Sequence, residues 1–238
     1  MLPGNHRMRP SVKAGATLFS LLVFAGALTT PASADPIGLV QRVQNAVYGT
    51  EPQGDRIPKF RRDGIVFNEL IETTQNSAIE IGFVDGSELT IGAQAELRID
   101  HFTFDQESGD GEATLNLGRG AFRWITGLMP PEGMDIETPT ATISIRGTNV
   151  KIGVRANGNT EIGLDEGAVH IVAKTNGAVA DLTEGQSARV TPAGIEILDQ
   201  VISVADGVVD NGWFNTPDKD RGSDRPTDGH ENQGGSQN

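Results

Sequence analysis

Side chains able to do chemistry are few in this chain, and they are scattered. The loop DQESGDGE (105–112) sets Asp105, Glu107, Asp110 and Glu112 within eight residues. Hard carboxylate oxygens of this kind suit calcium. The spacing of a calcium-binding EF-hand loop is missing, however, with no glycine at the sixth position and no glutamate at the twelfth. A solvated hairpin tip is therefore the expected reading, and no metal or other cofactor is expected. His101 stands among Asp100, Phe102 and Phe104, and His170 falls out of phase with Val169 and Ile171. Both read as strand histidines turned to solvent or to an edge. Trp124 beside Arg123 offers an aromatic face next to a cation, the pairing that stacks a sugar or anchors a protein partner. No Gly-x-Ser-x-Gly elbow, phosphate loop or His-Glu-x-x-His appears. Paired glycosidase carboxylates, which need not be close in sequence, are the one enzymatic form left open. The chain is expected not to be an enzyme.

Residues that position the rest lie in TPTATISIRGTNVKIGVR (138–155). Ile143 and Ile145 alternate with polar neighbours, as do Val150, Ile152 and Val154. That is the period of two of a strand with one buried face. The apolar set sits at odd numbers before Gly147 and at even numbers after it. Arg146-Gly147-Thr148 must absorb one residue of phase, and glycine enters such a bulge or corner without steric cost. The reading is two strands joined at a glycine corner. Arg146 is expected to satisfy carbonyls or a carboxylate there, with an anionic ligand as the alternative. Both Arg146→Ala and Gly147→Val are expected to disrupt the fold.

Around this stretch, short apolar runs alternate with turn dipeptides: Asp85-Gly86, Asn157-Gly158, Glu166-Gly167, Asn176-Gly177, Glu184-Gly185 and Ala193-Gly194. Turn signals every 8–12 residues or so predict an all-β domain of many short antiparallel strands, as a sandwich, jelly roll or β-solenoid. Phe83, Phe102, Phe104, Phe122 and Trp124 fall mostly at inward positions of its first half. Within residues 35–60, Ile37, Val40, Val43 and Val47 fit a short helix or an opening strand.

TPTATISIRGT, with the Glu166-Gly167-Ala168-Val169 that follows it, FVDGSELTIG (83–92) and LTEGQ (182–186) resemble the FecR domain family over roughly residues 55–193. The resemblance implies an all-β domain outside the cytoplasmic membrane of a bacterium, without catalytic activity, relaying signals through protein contacts.

The termini read differently. Arg7, Arg9 and Lys13 precede an apolar run, Ala14–Leu28, and Ala32-Ser33-Ala34 supplies the small residues of a cleavage site. Residues 1–34 are expected to be a cleaved signal peptide, since the run is shorter than the roughly 20 residues of a spanning helix. No retained transmembrane helix is expected, and the dozen residues before the run are too few for a cytoplasmic arm. Residues 35–60 form a lead-in, 61–200 the β domain, and 201–215 a segment whose Trp213 and Phe214 tuck back onto it. Residues 216–238 contain no aliphatic side chain and are expected to be a disordered tail.

The chain carries 32 acidic and 19 basic residues, a net charge of −13, and no cysteine. Such a surface repels phosphate backbones, so no nucleic-acid partner is expected. Lack of cysteine excludes a disulfide scaffold, thiolate metal sites and a lipid-anchored N-terminus. The expected function is that of an exported, periplasmic or secreted, module that binds an envelope protein. The alternative is a structural or glycan-binding envelope component with a polysaccharide partner.

Overall fold

The computed structural model describes residues 35–198. The expected leader, the 201–215 segment and the tail lie outside the described residues. Within them every regular element is a strand and there is no helix. Both readings open for the lead-in resolve to strands: β1 (Gly38–Gln44), β2 (Val47–Thr50) and β3 (Arg56–Pro58). There follow β4 (Gly64–Ile65), β5 (Leu70–Thr73), β6 (Ala78–Phe83), β7 (Glu88–Ile91) and β8 (Glu96–Phe104). Two long strands come next, β9 (Gly111–Ile125) and, after the short β10 (Met134–Glu137), β11 (Ala141–Val154). The chain closes through β12 (Thr160–Ala173), β13 (Val179–Thr183), β14 (Ser187–Thr191) and β15 (Gly194–Leu198).

All fifteen belong to one hydrogen-bonded network. Its main path runs β15-β14-β12-β11-β10-β9-β7-β6-β1-β4, with β2, β3, β5, β8 and β13 joined at the sides. The pairing is antiparallel, as expected, except that β9 and β10 run parallel. The long β9 pairs with β7, β8, β10 and β11.

Register explains why the apolar residues alternate as they do. Ile81, Leu89, Trp124, Val150 and Leu164 stand side by side across five strands. Ile79, Ile91, Phe122, Ile152, Ile162 and Ala188 form the next inward row. All belong to one buried cluster. Each large member contributes about 1.5–3 kcal/mol of burial, so a slip by one residue would turn whole rows to water.

The turn dipeptides do their expected work at Asp85-Gly86, Asn157-Gly158, Asn176-Gly177, Glu184-Gly185 and Ala193-Gly194, whose glycines all have positive φ. The first of these turns is longer than the two-residue hairpin expected. Asp85 accepts hydrogen bonds from the amide and hydroxyl of Ser87, and Ser87 Oγ in turn accepts from the Gly127 amide at 2.8 Å. Glu166-Gly167 is not a turn at all, since it lies inside β12.

Candidate interaction surface

The phase break is where the sequence placed it. Arg146 pairs with Ala168 and Asn149 with Glu166, so Gly147 and Thr148 on β11 face the single residue Gly167 on β12. This is a β-bulge within one continuous strand, not a corner between two. Gly147 has φ +60° and Gly167 +87°. A Cβ on Gly167 would lie 1.9 Å from the Gly147 carbonyl oxygen, whereas one on Gly147 would meet open space. Thr148 ties the bulge to the chain after β9: its amide donates to Thr126 Oγ1 at 3.1 Å and its carbonyl accepts from the Thr126 amide at 2.9 Å. Arg146 departs from expectation. Its side chain is exposed and makes no hydrogen bond or ion pair among the described residues. The backbone glycines hold the bulge without it.

Trp124 takes the core position that its inward phase implies, not the contact role. It is 1% exposed, its ring centroid lies 5.4 Å from that of Phe83, and its indole N–H donates to Thr126 Oγ1 at 3.2 Å. Phe83 in turn stacks on Phe102 at 4.9 Å. The adjacent Arg123 points to the opposite sheet face, where Nε donates to Asn149 Oδ1 at 3.0 Å. Strand alternation separates the two side chains, and Trp124 has no face left for a sugar or a partner.

The four acids of the 105–112 loop are not gathered. Asp105 Oδ1 accepts from the amides of Glu107 and Ser108 at 2.8 and 3.3 Å, which folds the loop on itself. Asp105, Asp110 and Glu112 line a cleft of about 520 Å³ with Phe104 and Pro130, and Glu107 is not part of its wall. Among the described residues no three acidic or histidine side chains group closely enough to hold a metal ion. His101 lies 3.9 Å from Glu112, and His170 Nδ1 lies 2.8 Å from Asp181 on the neighbouring strand β13.

Sequence reasoning missed a buried ion pair. Lys59 and Glu69 are both almost fully enclosed, with Nζ 2.5 Å from Oε1. Lys59 also donates to the Gly64 carbonyl at 2.9 Å, and Glu69 Oε2 accepts from the Val66 amide at 3.1 Å. Burial raises the Glu69 carboxyl above its ordinary range, against the opposing pull of Lys59. The pair sits over Gly49, where a Cβ would come within 2.1 Å of the carboxylate. Ten residues apart in sequence and charged, both look like surface side chains until the fold joins them.

Edges of the network are of two kinds. Strand β3 is exposed and ends in Pro58, and β4 is only two residues long, both of which discourage further pairing. Strand β13 has five residues with no proline or cation, and it exposes Val179 to 64%. Ala173 N–H donates to the Ala178 carbonyl, so antiparallel alternation turns the amides of Val179, Asp181 and Thr183 away from β12. The Thr183 amide bonds Gln186 Oε1 instead.

Among known proteins, two crystal structures of a candidate anti-sigma factor from Parabacteroides distasonis superimpose with TM-scores of 0.43 and 0.42 at 16% and 15% identity. In each case 54% of this chain and 57% of the other are covered, so the chain spans little more than half the length of these proteins. No curated protein matches. The family described as FecR protein matches residues 69–190, from just before β5 to the end of β14, including both bulged strands. On that match, across just over half of its length, the chain belongs to the FecR protein family.

Proposed function

We propose that this protein is an exported, non-catalytic relay module of the bacterial envelope that works by taking up a protein partner at the outer edge of β13. Family membership supports a regulatory and non-enzymatic kind of protein. The observation that carries the mode of contact is the β13 edge itself. It offers amides at Val179 and Asp181 that the β12 ladder does not use, next to an exposed apolar side chain. An extended segment of a partner protein adds there as a further strand, with backbone bonds giving affinity and Val179 giving an apolar contact. The leader-like composition of residues 1–34 supports export, and an exported domain would meet an envelope protein as its partner.

A photocrosslinker at the exposed Thr183 tests this in cells. The expected result is capture of one envelope protein, abolished by Val179→Pro. That substitution removes an outward amide without breaking the β12–β13 ladder, so the melting temperature should hold. Capture that survives Val179→Pro, or a domain recovered from the cytoplasm, would overturn the reading.

A further inference from the structure

The exposed side of the sheet reaches the β13 edge in two rows of different chemistry. One row runs Thr142, Val172, Val179 across β11, β12 and β13. Val172 is half-buried and Val179 is exposed, so this row ends in an apolar side chain at the margin. The other runs Asp135, Ser144, His170, Asp181 across β10 to β13. It is polar throughout: Ser144 Oγ donates to Asp135 Oδ1 at 2.6 Å, and His170 Nδ1 lies 2.8 Å from Asp181 Oδ1. The row ends in a carboxylate whose side chain is 77% exposed and whose second oxygen has no partner among the described residues.

Charge at this margin is negative. Glu184 is exposed in the turn directly after β13. Of the cations nearby, Lys174 is held by Glu137 and the Thr138 carbonyl, and Arg146 stands opposite Ala168, two strands in from the edge. The chain as a whole carries −13, so its field adds to the local one.

On the reading of β13 as the docking edge, on which this rests, we infer that the segment it takes up is cationic. That segment carries an apolar residue and a lysine or arginine two positions apart, set against Val179 and Asp181. Side chains two apart on an added strand share a face, so the spacing holds for either strand direction. Opposite charges on neighbouring strands attract and like charges repel, each by a modest amount. Asp181 therefore selects against an acidic residue beside it as much as for a basic one.

Anisotropy of short fluorescent peptides titrated with the protein tests this. Two capped peptides carry Val-Thr-Lys-Thr-Val or Val-Thr-Glu-Thr-Val at their centres, the same read in either direction. At low salt the lysine peptide should bind roughly two- to thirtyfold more tightly than its glutamate twin. Raising the salt should narrow that gap. Asp181→Lys, at an exposed position, should reverse the order, and Asp181→Asn should remove most of the difference. Val179→Pro should abolish binding of both. Equal affinities, or a preference for glutamate, with Val179→Pro still abolishing binding would overturn the cationic assignment and leave the edge standing. A lysine preference that Asp181→Lys leaves unchanged would overturn it too. Binding of neither peptide, or binding indifferent to Val179→Pro, would sink the edge itself and the assignment with it.

Discussion

Removing Lys59 puts the buried pair to the test. In Lys59→Met the stem is retained and the Nζ that sits 2.5 Å from Glu69 is lost. The Glu69 carboxylate, fully buried, then keeps only the Val66 amide as a hydrogen-bond donor. Stranding a buried charge in this way costs about 3–5 kcal/mol. For a domain of this size that corresponds to a fall in melting temperature of about 6–20 °C. Urea denaturation at pH 7 measures it, and the cycle through Glu69→Leu isolates the coupling, because the double variant leaves no charge to strand. The pH dependence has a definite sign. The folded-state value of Glu69 lies above its ordinary one, so its contribution is complete below the unfolded value and is lost as pH rises through the folded one. The penalty of Lys59→Met should therefore be largest near neutrality and shrink as the solution is acidified toward pH 4, where Glu69 is protonated. A cost below about 1 kcal/mol, or one that does not change with pH, would refute the reasoning.

Other substitutions separate backbone from side chain. Gly167→Ala should destabilise by roughly 2 kcal/mol or more, since its Cβ meets a carbonyl oxygen at positive φ, whereas Gly147→Ala should cost only about 1 kcal/mol. Arg146→Ala should leave denaturation midpoints within about 0.5 kcal/mol of the parent. Trp124→Ala should cost roughly 3–5 kcal/mol as a cavity. Thermal melts of the four variants, made in parallel, rank them, and an order with Arg146→Ala worst would show that the bulge is misread.

Much of the fold was legible because strand periodicity and turn chemistry are local. The parity change at Arg146-Gly147-Thr148 located the bulge without any structure, since a period of two registers an added residue at once. Glu166-Gly167 misled for a physical reason: a glycine with positive φ serves a hairpin turn and a bulge equally well, and only the partner strand distinguishes them. Trp124 was assigned two roles, core and contact, and its inward phase decides for core. Lys59 and Glu69 were beyond reach because no local pattern marks a charge that will be enclosed by strands not yet paired. The parallel β9–β10 ladder was hidden likewise, because it depends on the path of residues 126–133.

Strand β9 waits for partners on both sides of it in the chain. Its ladders to β7 and β8 can form early during synthesis, but those to β10 and β11 need everything up to Val154. Such a polypeptide acquires its final shape late and slowly, because the decisive pairings are distant ones.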